Sequence, residues 1–267
     1  MTATGPGPRR PDGGQADSGR PGGSGAGAWR SADLYATALR TGRGPLYLRR
    51  ADGRLLPLDV ERWCAEPDAA DRRVLAACEG PVLDVGCGPG RMVAALAARG
   101  RPALGVDVSA EAVRRTVAAG GSALRRSVFD RLPGEGAWRT VLLLDGNIGI
   151  GGDPSALLAR VRRLAGPAGR LIAECAPHGL PDDLDERAHV RLHDGTDVHG
   201  PRFPWARVGP AALARHAAAA GWAAEAGWSA LGRRFLILRP AAPPGPRAHG
   251  RGALPDGGRG RVAMMQG

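Results

Sequence analysis

The 267-residue chain contains 37 basic side chains and no lysine; every one is arginine, in a background crowded with Ala, Gly and Pro. That pattern follows GC-rich codon usage, so the formal net charge of +11 does not by itself announce a nucleic-acid or membrane partner. The arginines are scattered, often as Arg-Arg pairs, rather than gathered in one stripe. Aromatic residues make up only 4% of the chain, which leaves few platforms on which single-stranded bases could stack. No apolar run reaches the 18 residues that a membrane span needs, and the N-terminus lacks the apolar core of a secretion signal. A cytoplasmic location without membrane association is therefore expected. Only four cysteines occur, Cys64, Cys78, Cys87 and Cys175. They form no C-x-x-C pair and have no zinc-like spacing with histidine, so reduced core or loop thiols are expected and no metal site.

The ends differ in composition from the middle. Residues 1–28 and 240–267 are rich in Gly, Pro and Arg with no apolar period, and both read as disordered tails. The folded domain is expected at 29–239, with an N-terminal helix and hairpin addition at 29–79 and an insertion at 176–209.

The densest signal runs from Val82 to Arg91. Val82, Leu83 and Val85 suit a central parallel strand, while Met92, Val93, Ala95 and Leu96 begin a helical apolar pattern. Between them, Gly86, Gly88 and Gly90 leave backbone bare of Cβ atoms, so a ligand can lie directly on it. A dinucleotide fingerprint laid on Gly86 and Gly88 requires a third glycine at position 91, and Arg91 stands there instead. A second strand, Ala103 to Val108, carries Asp107 nineteen residues after Gly88. An acid about 20 residues beyond a glycine loop is placed to accept both hydroxyls of a ribose. Ser109, with Glu111 just inside the first turn, supplies the cap of the next helix.

Asp84-Val85-Gly86-Cys87-Gly88-Pro89-Gly90 resembles the acid-x-Gly-x-Gly-x-Gly motif of class I S-adenosylmethionine (AdoMet) methyltransferases, and Asp107 matches that family's ribose-binding acid. The resemblance covers residues 80–239 and is strongest in its first third. It implies a Rossmann-like, doubly wound α/β fold: a mostly parallel seven-stranded sheet with a terminal antiparallel hairpin and helices on both faces. It also implies AdoMet as cofactor, held by Asp84, Gly86, Cys87, Gly88, Gly90, Asp107 and Val108. In this family an acid near the third strand's end meets the adenine amino group. Here Val128 takes that position, and Asp130 or Ser127 is left to replace the acid while Phe129 packs on the base; Asp130 reads equally well as a turn residue.

The strand Thr140 to Asp145 ends in Asp145-Gly146-Asn147, at the tip where Asp145 or Asn147 can position the methyl donor or acceptor. The Asn/Asp-Pro-Pro-aromatic motif of nucleic-acid amino methyltransferases is missing there. Asp153-Pro154 opens a helix, Gly166 to Gly169 reads as a turn, and Arg170 to Cys175 reads as the fifth strand. A helix over 210–220 and strands over 222–229 and 234–238 complete the domain.

Two stretches read as hairpins beside it. A three-residue loop ending at Gly53 puts Leu46, Leu48, Leu56 and Leu58 on one face. A loop ending at Gly195 puts Val190, Leu192 and Val198 on one side and His189, Arg191, Asp197 and His199 on the other. His189 and His199 are thereby candidate general bases, since histidine titrates near neutrality. A metal site from His189 and His193 needs a helix, and this stretch alternates as a strand. The reading is an AdoMet-dependent methyltransferase acting on a small molecule. The alternatives are a non-catalytic protein that binds AdoMet or its demethylated product S-adenosylhomocysteine (AdoHcy), and an RNA methyltransferase.

Overall fold

A computed structural model of the protein describes residues 33–242. The tail expected at 1–28 lies outside the described residues, as does all but the start of the one expected at 240–267; the last strand reaches Pro240. Two sheets organise the chain. The larger has seven strands, built from β3 (Val82–Val85), β4 (Ala103–Asp107), β5 (Ala123–Arg125), β6 (Trp138–Leu143), β7 (Ala165–Cys175), β10 (Trp222–Ala230) and β11 (Arg233–Pro240), in the order β10-β11-β7-β6-β3-β4-β5. All pairings from β5 to β7 are parallel, whereas β11 runs antiparallel to both β7 and β10. The doubly wound α/β sheet with a terminal antiparallel hairpin is thus the fold of this protein.

Its centre is apolar because its strands are covered on both faces. All four residues of β3 are buried, as are Val141, Leu142 and Leu143 of β6. The helix Arg91–Ala97 turns Met92, Val93 and Leu96 inward, and Pro154–Leu164 contributes Leu157, Leu158, Val161 and Leu164. Ordinary caps set the helix starts. The Asp153 carboxylate accepts the N–H groups of Ser155 and Ala156 at 3.0 and 3.2 Å with Pro154 following, and Ser109 caps Ala110–Ala118 through the Ala112 N–H.

Gly166 to Gly169 forms no turn. The chain is already extended at Ala165, and the register to β6 jumps from Trp138↔Ala165 to Thr140↔Arg170, so the extra residues bulge within β7. The third parallel strand ends at Arg125 rather than Ser127, since Ser127 to Asp130 close a tight turn.

The second sheet joins segments far apart in sequence. β1 (Tyr47–Arg50) and β2 (Leu55–Pro57) form the hairpin turned at Gly53, with Leu48 opposite Leu56. β8 (Asp185–His193) and β9 (Val198–Val208) form the other, and β1 pairs antiparallel with β8, giving the order β2-β1-β8-β9. Its inner face buries Leu46, Leu48, Val190, Leu192 and Phe203 against Tyr35, Leu39 and Val60. The four-residue loop between β8 and β9 corrects the expected register. The Asp194 carboxylate accepts the Thr196 and Asp197 N–H groups at 2.8 and 2.7 Å, which stretches the turn so that Val198 opposes His193 and His199 opposes Leu192. A one-residue change of register exchanges faces, so Val198 does not share the Leu192 side.

Candidate functional site

The carboxyl ends of β3, β4 and β6 and the turn after β5 open into one cavity, the place where a doubly wound sheet binds ligands. The glycine loop forms its floor. Gly86 and Gly88 hold φ of +72° and +54°, a backbone region that L side chains rarely adopt, and both line the cavity with Val85, Cys87 and Pro89. A Cβ at Gly86 would stand 2.6 Å from Asn147 Nδ2. Gly90 does not line the cavity. It begins the helix Arg91–Ala97 at φ +87°, and a Cβ there would overlap the Thr116 side chain, so close helix packing accounts for it.

Asp107 sits at the cavity wall, 7% exposed. One carboxylate oxygen accepts the Gly88 N–H at 3.0 Å and the other the Ser109 N–H at 2.8 Å. Burial pushes its carboxyl up to about 6, and those backbone N–H groups oppose the shift. Asp84 does not line the cavity. It is buried within β3, where burial and the neighbouring Asp145, Asp107 and Asp71 charges raise it to about 7 against the pull of Arg91.

The segment after β5 contributes Arg126, Ser127, Val128 and Phe129 to the wall, next to Val106 and Val108. Asp130 is not part of it; its carboxylate accepts the Ser127 N–H at 3.1 Å and closes the turn. Asn147 lines the cavity and donates its amide hydrogens to the Val85 and Gly86 carbonyls, both at 2.9 Å, which ties the β6 tip to the loop.

Asp145, also on the wall, has φ +55° and belongs to a buried ion network. Its carboxylate accepts from Arg62 at 2.6 Å, Arg91 at 2.9 Å and Arg233 at 3.3 Å. Arg91 also grips Asp71 through two hydrogen bonds of 2.7 and 2.9 Å, and Arg233 grips Glu174 through two of 2.8 and 2.9 Å. Asp71 is fully buried, and the three guanidinium groups share the carboxylates of Asp71, Asp145 and Glu174, with Asp68 3.5 Å from Arg233 and Asp59 2.9 Å from Arg62. Burial alone would raise the Asp145 carboxyl, but Arg91, Arg62 and Arg233 outweigh it and hold it well below the usual carboxylate range. Sequence reasoning treats Arg91 only as the misfit to a dinucleotide fingerprint and overlooks Arg62, Asp71, Glu174 and Arg233. A signal exists: a cation at the first position of a helix is opposed by the helix dipole and calls for nearby acids.

Neither His189 nor His199 lines the cavity. His199 is bonded to Asp194 at the hairpin tip, 2.8 Å away, and His189 stands on the outer face of the second sheet beside Arg49, Arg191 and Arg202. The inner face supplies Phe203 and Trp205 instead, with Pro204 between them also at the wall, and the N-terminal segment supplies Tyr35, Leu58 and Trp63. These residues roof the cavity, so both hairpins reach the site as halves of one sheet. Among the described residues no group of three His, Cys, Asp or Glu side chains is placed to hold a metal ion, and no helix is long and apolar enough to cross a membrane.

Residues 82–169 match the family described as a methyltransferase domain. No curated protein sequence matches the chain. Among solved structures, the chain is similar to an AdoMet-dependent methyltransferase from Bacteroides fragilis in complex with AdoHcy, with 21% identity, a TM-score of 0.66, and 82% of this chain and 97% of that one covered. It is also similar to the 1,6-didemethyltoxoflavin-N1-methyltransferase of Burkholderia thailandensis, with 19% identity, a TM-score of 0.56, and coverage of 85% and 93%. At such identities the likeness is one of fold. The glycine loop, the strand order and these likenesses agree on a class I methyltransferase fold, with residues 82–169 matching a methyltransferase domain.

Proposed function

We propose that the protein is an AdoMet-dependent methyltransferase whose acceptor is a small molecule. The observation that supports it most is the hydrogen bond from the Gly88 N–H to Asp107, which joins the glycine loop and the second-strand acid in one cavity wall. A carboxylate has about four lone-pair sites, and the two backbone N–H groups occupy only one on each oxygen. Asp107 thus retains acceptor capacity for the two hydroxyls of a ribose. The bare backbone of Gly86 and Gly88 suits the sulfur-bearing chain of the cofactor. Val108, Val128 and Phe129 offer the purine an apolar slot, with the Ser127 hydroxyl at its rim. When bound, AdoMet supplies a methyl group on a positively charged sulfur.

The protein's contribution is then to hold the acceptor in line and exclude water, a role that positioning alone can make large. The roof from Tyr35, Trp63, Phe203 and Trp205 serves that end. Asn147 and the ion network around Asp145 fix the β6 tip against the loop, so they position the floor. A cavity closed over by this roof suits a small molecule better than a polymer.

Thermal unfolding in AdoHcy and in NADH tests the cofactor. AdoHcy at about 100 times its dissociation constant stabilises by about 2.7 kcal/mol, and NADH is expected to leave the transition unchanged. Formation of AdoHcy from AdoMet when acceptors are added separates an enzyme from a protein that only binds the cofactor.

A further inference from the structure

Aromatic residues are scarce in this chain, with six Trp, two Tyr and three Phe in all, yet five of them line this cavity. One of these, Phe129, stands on the purine side. The other four, Tyr35, Trp63, Phe203 and Trp205, come from three separate segments and meet at the roof with Leu58 and Ile150. They pack in edge-to-face pairs, Tyr35 with Trp63 at 6.4 Å and Phe203 with Trp205 at 6.3 Å. The Trp63 indole N–H is buried without a hydrogen-bond partner. A buried donor left unmade is unfavourable, and it is a feature that a bound acceptor atom would relieve.

The titratable groups of the wall make a second, independent point. Among the described residues, no His, Lys or Glu lines the cavity. Burial raises the Tyr35 phenol and the Cys87 thiol, so both keep their protons. Arg91 and Arg126 are cations, and the Asp145 carboxylate is tied to three arginines. Asp107 is committed to the ribose. Among the described residues the wall thus offers no base to strip a proton from an alcohol or an alkylammonium ion.

We infer that the acceptor is a planar aromatic or heteroaromatic compound attacked at an atom whose lone pair is already free at neutral pH, such as a ring nitrogen or an ionised phenol. The inference rests on the AdoMet reading above and narrows it. In the transfer, the acceptor lone pair forms the new bond to the methyl carbon as the carbon–sulfur bond breaks. The electron pair of that bond stays on sulfur, which becomes a neutral thioether; where the ring also carries an N–H, as benzimidazole does, that proton passes to water afterwards, and otherwise the methylated ring stays cationic. Aromatic walls favour a flat ring by offset and edge contacts.

The test titrates benzimidazole, quinoline and 4-nitrophenol, with cyclohexylamine and cyclohexanol as saturated counterparts, into the AdoHcy-loaded protein by calorimetry. Methyl transfer from labelled AdoMet to the same five compounds is measured alongside. At least tenfold tighter binding of the planar compounds is expected, with transfer confined to them. Trp63→Phe keeps the ring and removes the N–H, and should weaken benzimidazole about tenfold while leaving the AdoHcy affinity within twofold; Trp205→Ala should weaken all three planar compounds. Equal binding or methylation of the saturated compounds, or no binding by any planar one, overturns the inference. Failure of AdoHcy itself to bind, read from its own titration, rejects the AdoMet reading and this inference with it.

Discussion

The floor of the cavity and its roof are built in opposite ways. The floor comes from contiguous sequence: strand, glycine loop and helix follow one another from Val82 to Ala97, and Asp107 joins them one strand later. The roof comes from residues more than a hundred positions apart, brought together where β1 pairs with β8 and where Trp205 meets the Ile150 turn. A group that every relative must hold can be encoded in a short fixed stretch. A surface that selects an acceptor is free to vary, and here it is assembled by long-range pairing.

Floor and roof are bolted together by the ion network, where Arg62 of the N-terminal segment reaches Asp145 at the β6 tip. The largest expected effect therefore comes from Arg233→Met. It strips Asp71, Glu174 and Asp145 of a shared partner and should lower stability by about 3 to 5 kcal/mol, since an unpaired buried charge is far more costly than the pair. Urea unfolding measures this, and a loss under about 1 kcal/mol would mean that the network is better solvated than its burial implies.

Gly86→Ala attacks the floor alone. Its positive φ and the 2.6 Å approach of Asn147 should cost about 1 to 3 kcal/mol and weaken AdoMet at least tenfold. Unchanged affinity would detach the loop from the cofactor.

A pH series sharpens the floor's chemistry. Asp107 is raised from 3.8 to about 6, so the folded protein holds its proton more tightly than the unfolded chain does. Stability from this group is full below about pH 4 and declines as pH rises through 6. Ribose hydroxyls donate to the ionised form, so AdoMet affinity moves the other way. It should be level above pH 7 and fall below 6 by up to about tenfold per unit, and Asp107→Asn should flatten that limb. A limb that persists in the Asn variant would point to Asp84 instead.

The smallest effect concerns the part of the second sheet that lies off the cavity. His189→Ala and His199→Ala lie off the cavity and should change AdoMet binding and methyl transfer less than twofold, within the usual range for exposed positions. A large loss in either would mean that residues away from the cavity take part in the reaction.

The contrast between floor and roof also explains which features are legible in the chain itself. Strand apolarity, the Asp153-Pro154 cap and the glycine-loop spacing are local, so the seven-stranded sheet can be read from the amino acids alone. The Gly166–Gly169 stretch misleads because turn residues also make bulges, and here the parallel neighbour keeps the chain extended. The β8–β9 register turns on one Asx turn at Asp194, which lengthens the loop beyond the expected length. The pairing of the two hairpins carries no local signature, and neither does the meeting of Arg62, Arg91 and Arg233. Gly90 matches family spacing and Asp130 stands two residues past the family's acidic position, yet helix packing and turn geometry occupy them.

The most direct measurement is calorimetric titration of AdoMet into the intact protein and into Asp107→Ala, with NADH as the competing ligand. AdoMet should bind the intact protein and NADH should not, and loss of the ribose hydrogen bonds should weaken AdoMet by about 2 to 4 kcal/mol in the variant. Binding of NADH alone, of neither ligand, or of AdoMet with equal affinity to both proteins would contradict a cofactor site built on the glycine loop and Asp107.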